Sequence, residues 1–419
     1  MPQRYDWGQD VSYLEELSKE YSWPSFGHTA EIHSLRWHLP LRDRVEQTPP
    51  QDKEAILGET TKYVTDAMAF IPEDFMQYSH YVRVVKELEW DSSPGFPYMY
   101  EYPNNRAFFR VKDGLPDPER VDACWAMVQE RLKNRDSDPI RLFIKPEPHT
   151  KKKIEEKRFR LISSVSVVDQ ILDQMIFGFQ NQAFLDNHHH TPVRVGWGWM
   201  KGGWNSVPKS GMVACDKTGW DWTVSAWLVD LELELRSRLI FGTEKSLWED
   251  LARFRYHELF IKNEFMTSGG LVFRVRQPGL MKSGCVNTIV SNSLMQLLLH
   301  VRVSIELGEQ IHNIWAMGDD TIQDFMPFLP EYAELLGRYC ILKQVSGDSE
   351  FAGFRWDGDY IEPLYPEKHA FQILHVKEKD KKVFSLSYNL LYWKSRFLPY
   401  IQRLMPVPDI GFTRIWDGE

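Results

Sequence analysis

Apolar and polar positions alternate most clearly in the middle of the chain. The apolar run Met212–Cys215 has the composition of a short buried strand and leads directly into Asp216. The next segment predicts a helix, because its apolar residues recur at helical spacing. These residues are Trp227, Leu228, Leu231, Leu235 and Leu239.

A second helix and a hairpin are predicted further along. The apolar residues 314–317 predict a strand, Gly318-Asp319-Asp320 a tight turn, and residues 321–325 the returning strand. Strands interleaved with helices predict an α+β fold. The stretch Thr61–Phe70 also looks helical. The helix before the hairpin ends at Gly308, and its apolar stripe consists of Leu294, Leu297, Leu298, Val301 and Ile305.

Composition excludes several classes of protein. With 419 residues, 43% of them hydrophobic, the chain has enough apolar material for a sizeable core, and wholesale disorder is excluded. Its four cysteines form no CxxC pair, which argues against a zinc ribbon or a disulfide scaffold and favours a reducing compartment. The polar start resembles no signal peptide, and no apolar run is long enough to cross a membrane, so we expect a soluble intracellular protein without an intrinsic membrane segment.

Charge is distributed unevenly. The net charge of −9 argues against a uniformly basic surface that coats nucleic acid, but not against a locally basic channel. Residues 141–160 hold eight basic residues and three glutamates, a local net charge of +5. Within them, Lys151–Lys153 either line an entry path for nucleotide or template, or form a solvated loop. A second basic cluster lies at 377–396.

Three further features have plainer interpretations. The prolines and glycine of residues 92–98 predict a turn or rigid loop. His188–His190 predicts an exposed loop, because three adjacent side chains do not converge easily on one metal ion. Trp197, Trp199 and Trp204 are expected to pack between subdomains rather than to stack on bases.

The carboxylates carry the clearest chemical signal. Asp319 and Asp320 are adjacent acids at a hairpin tip, and each raises the pKa of the other unless a cation neutralises them. If the strand that ends at Asp216 lies beside this hairpin, three carboxylates converge into an oxygen-only site suited to Mg²⁺. Two such ions roughly 4 Å apart would support phosphoryl or nucleotidyl transfer.

Several motifs, in order, resemble those of viral RNA-dependent RNA polymerases. Asp216-Lys-Thr-Gly-Trp-Asp221 resembles motif A, the Ser283–Asn292 segment motif B, and Gly318-Asp319-Asp320 motif C. Residues 92–98 look like motif G, residues 145–162 like motif F, and residues 350–354 like motif E. The residues of these motifs are most similar to those of sobemovirus polymerases, which replicate positive-strand genomes.

The resemblance implies a role for each motif. It implies Asp216, Asp319 and Asp320 as catalytic metal ligands for two Mg²⁺ ions, with Mn²⁺ as a substitute, and Lys343 as a proton donor to pyrophosphate unless it is only a surface lysine. Nucleotide-binding residues implied by it are Lys145, Arg158, Arg160, Asp221, Ser283, Thr288 and Asn292; Arg158 equally fits solvent contact. The residues implied to contact RNA are Ser93, Gly95 and Gly284. Ser283-Gly284 is expected to be the mobile start of motif B. All these positions are read from the sequence.

The resemblance also implies an architecture and a setting. The expected right hand has fingers at 1–205 with an insertion at 241–275, a palm of antiparallel sheet and flanking helices at 206–240 and 276–361, and a small thumb at 362–419. RNA template and product and ribonucleoside triphosphates are the implied partners. The implied setting is the host cytoplasm, in complexes that other viral proteins recruit to membranes.

Three alternatives stay open. A reverse transcriptase shares the acidic palm, although Asp221 stands where such enzymes usually carry a bulky aromatic residue. An inactive polymerase-like scaffold would bind RNA or proteins only. Initiation either uses a small genome-linked protein as primer, or the tail Leu398–Glu419, with Tyr400 and Trp416, folds into the channel as a stacking platform.

Overall fold

The computed structural model describes residues 1–419 and has an α+β fold in which helices surround five small sheets. The α-helices, in chain order, are α1 Ser12–Ser18, α2 His28–His38, α3 Lys53–Val64, α4 Tyr78–Lys86, α5 Asn105–Phe108, α6 Pro118–Asn134, α7 Lys151–Glu155, α8 Val167–Asp186, α9 Trp220–Thr223, α10 Ala226–Arg238, α11 Lys245–Tyr256, α12 Thr288–Glu306, α13 Leu329–Tyr339, α14 Pro366–Leu374, α15 Lys381–Leu391, α16 Leu398–Leu404 and α17 Phe412–Asp417.

The strands are mostly short. In chain order they are β1 Tyr21–Ser22, β2 Ala69–Phe70, β3 Ile140–Ile144, β4 His149–Thr150, β5 Leu161–Ser164, β6 Met212–Lys217, β7 Ile240–Phe241, β8 Glu264–Met266, β9 Val272–Arg274, β10 Ile314–Met317, β11 Asp320–Asp324, β12 Leu342–Ser346, β13 Glu350–Phe351, β14 Phe354–Asp357 and β15 Tyr360–Pro363. Five 3₁₀ segments, Leu39–Arg44, Thr65–Ala67, Tyr98–Tyr100, Gly203–Ser206 and Glu378–Asp380, and one π-helical segment, His257–Lys262, complete the set.

One four-stranded antiparallel sheet carries the acidic residues. Its strand order is β10-β11-β6-β12, and α12 packs beside β10 and against α10 and α13. The predicted strand that leads into Asp216, the two helices and the acidic hairpin are therefore confirmed. The strands β11 and β6 pair directly, which is the condition that the sequence analysis set for the three carboxylates to approach one another.

A second four-stranded sheet joins distant parts of the chain. Its order is β5-β3-β8-β9, so residues 264–274 pair with residues 140–164. Here β3 and β8 run parallel, whereas the other two pairs are antiparallel. This sheet carries the basic segment that leads from Lys145 to Arg160.

The predicted helix at Thr61–Phe70 is wrong in its bounds. The helix begins earlier because Asp52 caps it, its side chain accepting a hydrogen bond from Ala55 N at 3.0 Å. It ends at Val64, since Ala69 and Phe70 form β2, which pairs in parallel with β7. The apolar residues of 61–70 are therefore shared between a helix end and a strand.

The N-terminus and the C-terminal helices share a separate core. Trp7 and Leu14 pack among buried residues of α14, α15 and α16, including Ile373 and Ile401. The Trp7 indole donates a hydrogen bond to Ile373 O at 3.0 Å. The small C-terminal region is therefore stabilised by residues from the opposite end of the chain.

The last helix closes an aromatic cluster beneath the acidic hairpin. Trp416 is fully buried and packs in one cluster with Trp197, Trp199 and Phe351. The predicted packing role is therefore confirmed for Trp197 and Trp199. Because Trp416 lies in this core, it does not reach into a channel, and the stacking-platform prediction is wrong for this residue. No helix combines the length and apolar character needed to cross a bilayer.

Candidate active site

The acidic end of the β10-β11-β6-β12 sheet brings Asp216 and the Asp319-Asp320 turn together. Thr321 pairs with Cys215, so the residues next to them, Asp320 and Asp216, lie side by side where the strands end. The turn is fixed from behind by α12, because Gly318 N donates a hydrogen bond to Ser293 Oγ at 2.8 Å. Gly318 has φ +62°, a left-handed conformation that glycine adopts without strain.

Asp320 also connects the hairpin to the next strand pair. Its Oδ2 accepts a hydrogen bond from Ala352 N at 2.8 Å, at the turn between β13 and β14. Lys343, on β12, has its Nζ 3.7 Å from Asp216 Oδ2 and is largely exposed. Lys343 therefore lies within the cleft, as its predicted role requires.

Lys217 is a cation that the sequence reasoning missed. Its side chain alternates to the face of β6 opposite Asp216 and is buried, and its Nζ donates to Thr321 Oγ1 at 2.7 Å and to Asp319 O at 3.3 Å. A lysine directly after a strand-end aspartate was the available signal in the sequence, because strand residues alternate between the two faces of a sheet and this lysine continues the apolar face of Val213 and Cys215. It holds the acidic turn from beneath.

The surroundings of the Asp319-Asp320 turn raise the pKa of both of its carboxyl groups. Burial raises the pKa of Asp320 to about 6, and burial likewise raises the pKa of Asp319. Water reaches Asp319, but the walls of the cleft replace much of its hydration shell. A bound divalent cation would favour the ionised forms, and an all-carboxylate donor set suits Mg²⁺.

The fit to a metal is incomplete in this conformation. No three His, Cys, Asp or Glu side chains form a group ready to hold an ion. The three aspartates line one cleft as predicted, yet the Asp216 carboxylate faces Lys343, and one oxygen of Asp320 is engaged by Ala352 N. The chemistry of the donors fits Mg²⁺, whereas the convergence expected from the sequence is not reached.

A cleft of about 450 Å³ lies in front of the aspartates, and basic side chains line it. Lys153 and Arg160 come from the basic segment, Lys343 from β12 and Lys368 from α14. Lys153 is half-buried whereas Lys151 and Lys152 are exposed, so the structure separates the three lysines that the sequence could not distinguish. Carboxylates and cations in one cleft suit a polyanionic substrate that binds metal.

Glu147 connects two of these cations, Arg160 and Lys368, with Lys145, which does not line the cleft. Its carboxylate lies 2.8 Å from Arg160 Nη1, 2.9 Å from Lys368 Nζ and 3.4 Å from Lys145 Nζ. Burial by itself would raise the pKa of Glu147, but the three cations lower it to about 2. Glu147 and Lys368 were not predicted as site residues; the Lys-Pro-Glu sequence was the only local signal for Glu147.

Arg158 does not line this cleft. Its guanidinium pairs with Glu156 and lies over the Trp37 ring, 5.2 Å from the ring centroid. Arg160, two residues on, is exposed and lines the cleft. Residues 158 and 160 therefore differ in surroundings despite their proximity, and a contact of Arg158 with nucleotide stays a prediction that its placement does not favour.

Asp221 and Asn292 are hydrogen-bonded to each other. Asn292 Nδ2 donates to Asp221 Oδ1 at 3.1 Å, and Trp220 Nε1 donates to Asn292 Oδ1 at 2.9 Å. Since an indole N–H only donates, Trp220 fixes which end of the amide faces Asp221. Burial raises the pKa of Asp221 to about 7, and the Asn292 hydrogen bond acts in the opposite direction.

Thr288 is not part of this pair. Its hydroxyl contacts the carbonyl oxygens of Lys282 and Cys285, the latter at 3.0 Å, and makes no hydrogen bond with Asp221 or Asn292. The hydroxyl proton is therefore engaged at the start of α12. Thr288 shapes the loop before the helix, which differs from its predicted place in a sugar-reading network.

The Ser283-Gly284 loop is tied to the strand β5. Ser163 N donates to Ser283 Oγ at 3.0 Å, and Gly284 N donates to Ser163 O at 3.0 Å. A Cβ on Gly284 would lie 2.3 Å from Ser163 O, so only glycine permits this approach. The expected mobile start of this segment is held by backbone hydrogen bonds in this structure.

Ser93 and Gly95 form a tight loop against the start of α8. Gly95 N donates to Ser93 Oγ at 3.2 Å, and Gly95 has φ +72°. A Cβ at Gly95 would lie 3.0 Å from Ser166 Cα. The predicted rigid loop is confirmed, whereas its contact with RNA stays a prediction.

His188–His190 forms a turn after α8. His188 Nδ1 lies 2.6 Å from Leu185 O and therefore engages the backbone at the end of α8. His189 and His190 line a second cavity together with Met212 and Asp324, at the end of the sheet opposite the aspartate turn. The interpretation as a loop is confirmed.

Comparison with known proteins identifies the family. The model of the family described as viral RNA-dependent RNA polymerase matches residues 41–323. Among curated proteins, the replicase polyprotein P2AB of Southern bean mosaic virus is 33% identical, covering 78% of this chain and 35% of the polyprotein. The P2AB polyprotein of Cocksfoot mottle virus is 30% identical, covering 77% of this chain and 36% of that protein.

A third curated protein and a solved structure also match the chain. Protein P1-P2 of Pea enation mosaic virus-1 is 29% identical over 78% of this chain and 31% of its own length. The chain thus spans about a third of the length of these curated relatives. A solved structure, the Sicinivirus 3Dpol RNA-dependent RNA polymerase, matches with a TM-score of 0.68 at 15% identity, covering 92% of this chain and 88% of that one.

The structural match confirms the right-hand polymerase fold. The viral replicase relatives confirm the similarity to sobemovirus polymerases that the residues of the motifs implied. Polymerases of this kind generally use divalent metal ions. The family model covers more than half of the chain, and with the ordered motifs it shows that the chain belongs to the viral RNA-dependent RNA polymerase family.

Proposed function

We propose that this chain catalyses template-directed RNA synthesis, adding ribonucleoside triphosphates to an RNA 3′ end and releasing pyrophosphate. The observation that carries the proposal is the cleft in which Asp216, Asp319 and Asp320 face Arg160 and other cations. Carboxylates and cations in one cleft match what a nucleotidyl transfer needs, since the reacting phosphate binds metal while its triphosphate tail carries negative charge.

The proposed metal ligands are Asp216 and Asp319, with Asp320 in support. When bound, two Mg²⁺ ions, or Mn²⁺ in their place, would activate the attacking hydroxyl and stabilise the leaving oxygen. The residues themselves have further tasks. Lys217 holds the acidic turn through its bond to Asp319 O, and the Asp320–Ala352 hydrogen bond keeps the Asp320 carboxylate at the edge of the cleft.

Arg160 is the proposed contact of the incoming triphosphate. Its guanidinium already donates one hydrogen bond to a carboxylate, Glu147, and can exchange this partner for phosphate oxygens, which a guanidinium binds with two parallel N–H groups. Lys153 lines the same wall, and Lys145 approaches it through Glu147. Lys343 is the proposed donor of a proton to the leaving pyrophosphate, because its exposed ammonium lies beside Asp216.

Asp221 and Asn292 are the proposed readers of the ribose. A ribose 2′-hydroxyl both donates and accepts hydrogen bonds, so a carboxylate and an amide that already contact each other can satisfy it together. Ser283 lies at the loop that opens motif B, where we propose contact with the same nucleotide. Ser93, Gly95 and Gly284 are the proposed contacts of the template.

We further propose fingers at 1–205 and 241–275, a palm at 206–240 and 276–361, and a thumb at 362–419. The pairing of β3 with β8 supports assigning residues 241–275 to the fingers. Residues 5–17 share a core with α14 to α16, so they are the proposed brace between fingers and thumb. RNA template and product are the proposed partners, and a genome-linked protein is a proposed primer.

The proposed setting is an infected host cell, because the relatives are viral replicase polyproteins. We further propose that replication takes place in the cytoplasm, in complexes that other viral proteins recruit to membranes. The test of the proposed function is extension of an annealed RNA primer on a homopolymeric RNA template by the purified chain with Mg²⁺. Incorporation of ribonucleotides on RNA supports a polymerase. Binding of RNA without extension would favour the scaffold alternative, and preference for deoxynucleotides would favour the reverse transcriptase alternative.

A further inference from the structure

Arg194 is held at the edge of the β10-β11-β6-β12 sheet, in the segment that follows α8. Val193 forms a parallel bridge with Ala316 of the edge strand β10. Arg194 N donates to Ala316 O at 2.9 Å, and Ala316 N donates to Pro192 O at 2.9 Å. The backbone of this segment therefore extends the sheet beyond β10, and the sheet fixes the position of Arg194.

The guanidinium of Arg194 has no carboxylate partner although the residue is half-buried. Its Cζ lies 4.1 Å from the centroid of the Trp315 ring, which itself packs on Trp197. Arg194 Nε is shut off from solvent and donates to no group of the chain. Burial lowers the pKa of Arg194 to about 10, and no carboxylate acts in the opposite direction. Removing a charge from water costs free energy unless a partner of opposite charge compensates it, so this guanidinium is prepared for an anion.

A cavity of about 510 Å³ lies beside Arg194. Much of its wall is apolar and includes Leu297, Ile311 and Ile322. Nitrogen-bearing side chains line it as well, namely Lys62, His189, His190 and His312. Lys62 already pairs with Glu59 at 2.7 Å, which leaves Arg194 as the lining cation without an ionic partner.

The cavity is separate from the catalytic cleft. The two share no lining residue. Met212 and Asp324, which line the cavity, are paired at one end of β6 and β11. Asp216 lies four residues further along β6, about 13 Å away at the usual spacing of strand residues. A ligand in this cavity would therefore not occupy the place proposed for the ribonucleotide.

The wall of the cavity indicates which kind of anion fits. A guanidinium binds the oxygens of a phosphate through parallel N–H groups, and the nearby imidazoles offer further donors. The apolar wall suits an uncharged body attached to that phosphate, and the cavity has the size usual for a small-molecule site. Asp66 and Asp324 also line it, and their carboxylates can accept hydrogen bonds from hydroxyl or amino groups of that body.

We propose that this cavity binds a phosphate-bearing small molecule of mononucleotide size, with its phosphate on Arg194 and its uncharged ring system against the apolar wall. The site goes beyond the proposed RNA synthesis, because its occupant is not the incoming ribonucleotide at the aspartates. Bare phosphate or pyrophosphate satisfies Arg194 but leaves the apolar wall without a partner, whereas a nucleoside lacks the anion.

The test measures binding of AMP to the purified full chain without added metal by isothermal titration calorimetry. Arg194→Met keeps the length of the side chain and removes its charge, and we expect it to raise the Kd for AMP by roughly tenfold or more. Arg403→Met is the matched control, because Arg403 also lies over an aromatic ring, that of Tyr400, but is exposed. Its Kd should stay within about twofold of wild type.

Two further arms separate the sources of the phosphate and the location of binding. Pyrophosphate and adenosine are each expected to bind roughly tenfold more weakly than AMP, since each lacks half of the recognised chemistry. Arg160→Ala should leave the Kd for AMP within about twofold. An unchanged Kd in Arg194→Met, an equal loss in Arg403→Met or Arg160→Ala, or pyrophosphate binding as tight as that of AMP would overturn the proposal.

A second measurement uses only the wild-type chain, so it does not depend on how a variant folds. Irradiation with 8-azidoadenosine 5′-monophosphate is expected to label peptides that contain residues 189–194 or 311–315, and excess AMP should prevent the labelling. Labelling confined to other peptides would overturn the site. Stronger protection by a short RNA oligonucleotide than by AMP would replace the small molecule with an RNA contact. Neither measurement requires RNA synthesis, so its failure is distinct from failure of the proposed function.

Discussion

The side-chain amide of Asn292 donates a hydrogen bond to the carboxylate of Asp221 at 3.1 Å, across 71 positions of the chain. One residue comes from the short helix after β6 and the other from the first turns of α12, so the pair forms only when these elements pack. Trp220 fixes the amide from the other side. This arrangement gives the predicted sugar reader a defined geometry.

The first prediction concerns this pair. Asn292→Ala should lower the ratio of kcat/KM for GTP over dGTP by roughly 5- to 150-fold, because a lost hydrogen bond to a buried polar group corresponds to about 1–3 kcal/mol. Trp220→Phe should have a smaller effect in the same direction, since it frees the amide without removing it. If the ratio is unchanged in both Asn292→Ala and Asp221→Ala, the two residues do not read the sugar.

The second prediction concerns the metal site. Asp319→Asn should reduce nucleotide incorporation by more than about a hundredfold while preserving the fold and RNA binding, because the change removes charge at a turn without removing volume. Asp324→Asn, at the far end of β11, the strand that follows Asp319, is the control and should retain activity. Incorporation by Asp319→Asn within roughly tenfold of wild type, a barrier change of only about 1.4 kcal/mol, would contradict the assignment.

The third prediction concerns pH. Since the pKa of Asp320 is raised to about 6, this carboxylate is protonated below that pH and ionised above it, and Mg²⁺ must compete with the proton at low pH. The rise in Tm caused by Mg²⁺ should therefore be larger at about pH 8 than at about pH 5. Melting curves with and without Mg²⁺ at each pH measure this difference, and an equal rise at both values would count against Asp320 as part of the metal site.

The fourth prediction separates two neighbouring arginines. Arg160→Ala should raise the KM for ribonucleotides by roughly tenfold or more, because a charge-assisted contact to phosphate is lost. Arg158→Ala should change this KM by less than about twofold, since Arg158 pairs with Glu156 over Trp37, away from the cleft. Steady-state kinetics on both variants decide the matter; equal effects would mean that Arg158 also reaches the substrate.

The fifth prediction concerns the C-terminal tail. Trp416 is fully buried and donates a hydrogen bond to Leu390 O at 2.8 Å, so Trp416→Ala should destabilise the fold by about 3–5 kcal/mol. Ile410→Ala, an exposed residue of the same tail, should leave Tm unchanged. In assays below the lowered Tm, any loss of synthesis should be equal for primed and unprimed reactions. A selective loss of unprimed synthesis would restore a role for the tail in initiation.

The sequence by itself determined the local elements of the acidic sheet and the order of the motifs. Apolar runs predicted the strand before Asp216 and the hairpin around Asp319, because the alternation of strands and the spacing of helices depend on residues close in the chain. The family followed from the same motifs. The bounds of α3 were missed, since a cap at Asp52 and the pairing of Phe70 outweighed the local helical pattern.

Only the tertiary structure decided which side chains face the cleft. Glu147 and Lys368 are 221 positions apart, and their contact depends on how α14 packs against the basic segment. Arg158 and Arg160 have the same chemistry, but only Arg160 lines the cleft. Such contacts depend on long-range packing, on which the spacing of residues along the chain carries no information.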